Sequence, residues 1–176
     1  MHSPASANFS GTWNEFVIQL GNSDCALIGI NDYFSIAGYK ELRRRLDAPT
    51  PAELSDKAYS DALNELRKKS LLPVIECRMT NVVVGKKGSG PRINFHIILS
   101  DAINPDDIES LIKNFEVSST TIGSNYSDPN YLLNSASVDF NAVRRRLDND
   151  TRFEGKYVIW IPYDEYGGIG DIDPKS

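Results

Sequence analysis

Four side chains in this sequence are the best suited to chemistry: His2, Asp32, Glu76 and His96. Asp32 follows the apolar run "ALIGIN", Glu76 lies near the end of "LLPVIEC", and His96 lies inside "RINFHIIL". In α/β sheets and barrels, functional groups gather at the C-terminal ends of parallel strands, so acids and imidazoles at these places are the first candidates. An Asp, a Glu and two His brought together there form a hard-to-borderline donor set. It suits zinc, manganese or iron and can lower the pKa of a bound water for hydrolysis. Each residue also has a plainer reading. Asp32 can begin a turn and cap the following helix, and Glu76 can pair with a neighbouring Lys or Arg, since acids are seldom buried alone. His96 alternates with Phe95 and can be a hydrogen-bonded core histidine, and His2 sits on a terminus, where disorder is the ordinary state.

The elements that must position these residues follow from periodicity. Trp13, Phe16, Val17 and Leu20 recur at helical spacing, with Thr12 as cap and Gly21 at the expected C-terminus. Residues 26–30 read as a buried strand and 36–46 as a helix with Ser35 as its cap; the prolines of "DAPTPAELS" interrupt before a second helical pattern over 58–69. Residues 71–77 read as a buried strand with "TNVVV" as its hairpin partner, and 92–99 as a third strong strand after "GKKGSGP". Asn104 and Pro105 open a helix running to about Phe115, with Asp106 and Asp107 at its positive end. A polar, turn-rich stretch follows, then a helix over 138–147 and a last strand over 157–161. Strands alternating with helices indicate an α/β fold with a largely parallel sheet.

Composition sets the frame. The chain has 176 residues, 40% of them apolar, which suits one domain, 1–176, with a real core. No signal-peptide layout and no long apolar window occurs, so no membrane association and a cytoplasmic location are expected. Cys25 and Cys77, both in apolar runs, read as buried free thiols. A net charge of −5 does not support nucleic acid as a partner, although the runs Arg43-Arg44-Arg45 and Arg144-Arg145-Arg146 could touch phosphates if they are not simply solvated helix ends. Tyr163 and Asp164, just after the last strand, are further site candidates. No Gly-x-Gly-x-x-Gly or P-loop pattern is present.

Four stretches in order carry a resemblance. "HSPAS" resembles the first motif of the PHP (polymerase and histidinol phosphatase) superfamily, a His-x-His followed by a small residue and often Pro. "LIGINDYFSIAGYKEL" resembles its second, an apolar run, Thr-Asp-His and a helix. "LPVIEC" resembles the strand carrying its Glu, and "INFHIIL" the next strand with its His. The match is closest to PHP-like domains fused N-terminally to SMC-like or AAA-type ATPases, in which the helix often reads Ser-Ile-x-Gly-Tyr-Lys, as in residues 35–40.

The resemblance implies a partial or distorted (β/α)7 barrel holding Mn, Zn or Fe on His2, Asp32, Glu76 and His96. It also implies a partner in the ATPase part of the same protein or in another subunit, in a DNA-repair or phage-defence setting. The departures are equally plain. Only one His of the first pair is present, Tyr33 stands where the second motif has its His, and no His follows His96. The expectation is a degenerate site in a chain that is the N-terminal or an incomplete part of a larger protein, acting as scaffold or recognition module and binding little or no metal. The alternative is an active metal-dependent phosphoesterase.

Overall fold

A computed structural model describes residues 1–6, 8–82, 92–117, 120–163 and 169–171. Helix α1 (Trp13–Asn22) starts at a reciprocal cap in which Thr12 Oγ1 accepts from the Glu15 amide and Glu15 accepts from the Thr12 amide. It buries Phe16, Val17 and Leu20. Strand β1 (Leu27–Tyr33) follows, then helices α2 (Ala37–Asp47), α3 (Pro51–Ser55) and α4 (Lys57–Leu66). Strand β2 (Ser70–Val82) is 13 residues long, and β3 (Arg92–Leu99) coincides with the predicted strand. Helix α5 (Pro105–Lys113) has Asn104 as cap and Pro105 in its first turn, as its residue types require. The turn-rich stretch holds a two-residue hairpin, β4 (Glu116–Val117) with β5 (Thr120–Thr121), a 3-10 turn over Ile122–Asn125 and the short helix α6 (Pro129–Asn134). Helix α7 (Phe140–Asp148) and strand β6 (Tyr157–Trp160) complete the layers.

The barrel expectation is corrected by the sheet. The described strands form one four-stranded sheet in the order β1-β2-β3-β6, with β4 and β5 apart. Only β1 and β2 are parallel; β2 with β3 and β3 with β6 are antiparallel. A (β/α)7 barrel needs a parallel crossover after every strand so that the last closes on the first. Here the chain turns back after β2 and again before β6, leaving β1 and β6 as two separate edges.

Three local expectations are corrected too. The described part of "TNVVV" is not a hairpin partner: β2 runs straight through it, loses register with β3 between Arg78 and Val82, and makes a bridge from Met79 to Val138. Residues 83 and 84 of that stretch lie outside the described residues. Cys25 is exposed in the turn before β1 rather than buried in a strand, while Cys77 is buried. Gly21 lies inside α1, where a Cβ would stand 2.4 Å from the Ala62 carbonyl oxygen, so the absent side chain is what lets α1 and α4 close together.

Side chains alternate across the sheet, and the two faces differ. Ile28, Ile30, Leu71, Ile75, Cys77, Phe95, Ile97 and Leu99 lie in one core with Phe16 and Leu20 of α1, Tyr39 and Leu42 of α2, Tyr59 and Leu63 of α4, Ile108 and Ile112 of α5, and Val143 and Leu147 of α7. The intervening residues point the other way. There Leu27, Val158 and Trp160 are exposed, and Leu72 and Ile98 half-buried. The helices therefore cover one face; on the second, Tyr33, Val74, Glu76, Asn94 and His96 are buried as well, and Leu27, Val158 and Trp160 at its edge strands are exposed. Among the described residues, no helix is long and apolar enough to cross a membrane.

Candidate functional site

Asp32 and Tyr33 are neighbours in β1 and so leave the strand on opposite faces. Asp32 enters the helix-covered side and is 2% exposed. Its Oδ1 accepts from the Ser3 amide at 3.0 Å, and its Oδ2 accepts from Ser3 Oγ at 2.8 Å and from the Gly38 amide at 3.2 Å. The carboxylate thus ties the N-terminal segment to the first turn of α2. It takes the capping role expected of Ser35, whose Oγ accepts from the Ala37 amide instead. Gly38 has to be glycine for this, since a Cβ would lie 1.9 Å from Ser3 Oγ. Burial pushes the Asp32 carboxyl above its ordinary value, against the hydrogen bonds from Ser3 and Gly38. Between Tyr33 and α2, Phe34 is fully buried with φ of 46°, a left-handed turn that costs a non-glycine residue about 1–2 kcal/mol. Its amide donates to the Glu76 carbonyl at 3.0 Å, anchoring the turn on β2.

On the second face the sheet register brings a different set together. Tyr33 pairs with Glu76, Glu76 with His96, and His96 with Trp160, so one row crosses all four strands. Glu76 is the hub. Asn31 Nδ2 donates to its Oε2 at 2.9 Å and Asn94 Nδ2 to its Oε1 at 2.8 Å. The Nε2 atoms of His2 and His96 lie 3.3 and 3.5 Å from Oε2. The Tyr33 hydroxyl also hydrogen-bonds Glu76. Burial alone would push the Glu76 carboxyl up, but His2, His96, Tyr33 and Asn31 outweigh it and hold the group well below the usual carboxylate range. Tyr33 is shifted the other way by its burial and by the Glu76 charge, so its phenol stays protonated. The His2 ring stacks on Tyr33 at 5.3 Å, Arg78 lies over the same ring at 5.6 Å, and His96 leans on Trp160 at 5.0 Å.

Three of the four predicted ligands, His2, Glu76 and His96, therefore meet, joined by Tyr33. Asp32 faces away with its oxygens engaged. Asp164 lies outside the described residues. Among the described residues no group of three or more His, Cys, Asp or Glu side chains is arranged to hold a metal ion. Of the residues expected to hold Mn, Zn or Fe, Asp32 leaves β1 on the opposite face from Glu76, and Glu76 is surrounded by the polar groups of His2, His96, Asn31 and Asn94.

Asn31, Asn94 and Arg78 escaped the sequence reading. Each sits two residues from a candidate on the same strand face, as Asn31 to Tyr33, Arg78 to Glu76 and Asn94 to His96. Period-two spacing of polar residues in otherwise apolar strands was the available signal. Within the arginine runs, Arg44 and Arg45 pair with Glu41, Arg45 also with Glu53, Arg144 with Asp148 and Arg146 with Glu116. Comparison of this chain with protein-family models, with curated proteins and with solved structures found no match.

Proposed function

We propose that this chain is a degenerate PHP-like domain that works as a recognition or scaffold module of a larger ATPase-containing assembly, in DNA repair or phage defence, rather than as a hydrolase. One observation carries the reading. The residues that resemblance groups into a metal centre are divided by the sheet, Asp32 being a buried clamp on Ser3 and Gly38 and Glu76 the hub of a hydrogen-bonded network on the opposite face. A carboxylate that already accepts from several donors must lose them to take a metal, and a set lacking several ligands binds far more weakly than one lacking a single outer partner.

The rival reading, a metal-dependent phosphoesterase, rests on a specific feature as well. His2 and His96 present their Nε2 atoms to the same oxygen of Glu76. It needs further ligands from outside this chain, from the ATPase part or a partner subunit. The test is elemental analysis of the purified protein beside a Glu76→Gln/His96→Ala variant, with hydrolysis of bis(p-nitrophenyl) phosphate assayed under added Mn, Zn or Fe. The recognition reading expects no stoichiometric metal and no turnover. Stoichiometric metal that the variant loses, or metal-dependent turnover, would replace it with the rival.

A further inference from the structure

The two edges of the sheet are finished differently. Along β1 the N-terminal segment supplies partners: the Asn31 amide donates to the Met1 carbonyl at 3.0 Å, and the Met1 ammonium donates to the Gly29 carbonyl at 3.0 Å. Along β6 no described residue takes that place, and none of Tyr157, Val158, Ile159 and Trp160 is buried. Unpaired N–H and C=O groups at an edge template further pairing, so native edges are blunted by a charge, a proline, a bulge or a covering element. Strand β6 carries no charged residue and no proline; Lys156 and Pro162 lie outside it.

The register fixes which backbone groups face out. The Ser100 amide donates to the Lys156 carbonyl at 2.9 Å, and the ladder continues from Leu99 with Tyr157 to His96 with Trp160. Hydrogen-bonded and non-hydrogen-bonded pairs alternate in an antiparallel ladder. Val158 and Trp160 therefore turn their N–H and C=O toward β3, while those of Tyr157 and Ile159 point out from the edge. The Tyr157 and Ile159 side chains pack against the core, whereas Val158 and Trp160, 62% and 46% exposed, stand on the second face.

This strand is complementary to itself. A two-fold axis through Ile159 lays its outward groups on those of an antiparallel copy, and sets Tyr157 against Ile161, the next residue in the alternation. The same register places Val158 across from Trp160 of the copy, and Trp160 across from Val158, at the close, non-hydrogen-bonded positions. An aromatic opposite a β-branched side chain is a favourable cross-strand pair, and here it forms twice. An axis through Val158 would set Trp160 against Lys156, and one through Trp160 would set Val158 against Pro162, which is already buried.

We propose that two copies of this chain associate through β6, antiparallel about Ile159, and so join their sheets into one. The inference goes beyond the recognition reading and does not depend on it. A strand pair this short covers less than the roughly 1,200 Å² of stable complexes, so the dissociation constant is on the order of 100 μM. Each copy carries a net charge of −5, so added salt, which screens the repulsion, favours the dimer.

The experiment is sedimentation velocity of the 176-residue chain from about 10 μM to about 1 mM, where mass action carries it from monomer to dimer. Val158→Lys and Trp160→Glu, both at exposed positions, each weaken the dimer at least about tenfold. The double variant Val158→Lys/Trp160→Glu restores it to within about threefold, because only the Ile159 register sets each Lys across from a Glu of the copy. Circular dichroism reports that the variants are folded. Hydrogen exchange needs no substitution: the Tyr157 and Ile159 amides, free in the monomer, become protected as concentration rises. A chain that stays monomeric, single variants that dimerise like the parent, or a double variant no better than the singles overturns the proposal. So do Tyr157 and Ile159 amides that stay unprotected in the dimer, which place the interface elsewhere, or that are already protected in the monomer, which show the edge covered by the chain itself.

Discussion

The two faces of the sheet are built from alternate residues of the same strands, yet they are held by different forces. On the covered face Ile30, Ile75, Phe95 and Ile97 are 0–1% exposed and pack against helices, and the one carboxylate there, Asp32, is wholly engaged in joining backbone segments. On the second face Trp160 and Val158 remain exposed, and the buried carboxylate there, Glu76, organises two histidines, two asparagines and a tyrosine. The difference teaches that an acid at a strand end is not one kind of residue. Facing a helix N-terminus it becomes a cap, and among buried side-chain donors on the other face it becomes the centre of a polar network.

The comparison can be broken by substitution. Phe95→Ala on the covered face should lower stability by about 3–5 kcal/mol in urea unfolding, since it empties a fully buried site, while Trp160→Ala in the same row of experiments should change it by less than about 1 kcal/mol. Similar losses from both would mean that the Trp160 edge of the second face is packed as tightly as the core. Asp32→Ala should cost about 2–4 kcal/mol, because the Ser3 amide, Ser3 hydroxyl and Gly38 amide lose their acceptor. A gain in stability, as expected for an idle metal ligand relieved of its buried charge, would show that the clamp is not structural. Gly21→Ala should cost about 1–3 kcal/mol and lower the Tm, because the new methyl meets Ala62 backbone.

The smallest effect sharpens the contrast most, since the two carboxylates respond to pH in opposite directions. Glu76 is held below its ordinary 4.5 in the folded protein, so its contribution is complete above that value and is lost as pH falls below it. Asp32 is raised above its ordinary 3.8, so its contribution is complete below that value and is lost as pH rises through the folded pKa. Glu76→Gln should therefore flatten the acid limb of the stability profile, and Asp32→Asn should remove a decline on its rising side. Urea midpoints from about pH 3 to about pH 7 read both. Identical profiles for the two variants would show that the faces do not differ electrostatically.

Much of the fold was legible. Strand β3, the Asn104-Pro105 start of α5 and the Thr12 cap of α1 follow from local residue types, because capping and alternation are decided within a few residues. What failed was non-local. "TNVVV" reads like a strand of its own because its residues favour extended backbone, and only pairing with Val138 shows that β2 continues into it. Closure into a barrel was likewise not decidable from a strand count, since a parallel and an antiparallel strand of the same apolar pattern look alike. Of the site, Glu76 and His96 stood out as polar residues in apolar runs. Asn31 and Asn94 did not, because an amide in a strand signals little until a partner faces it.

By itself the sequence determined where the chain extends, where it coils and which residues alternate, because those are matters of spacing and local sterics. It placed Asp32 and Tyr33 side by side and so, by the period of two, on opposite faces. Only the tertiary structure decided which face each would meet. The parallel register of β1 with β2 set Tyr33 beside Glu76, and antiparallel pairing carried the row on to His96 and Trp160. The packing of α2 on the other side turned Asp32 into a cap. Register and layer packing are long-range choices, fixed by the burial of the whole sheet face rather than by any stretch of residues within it.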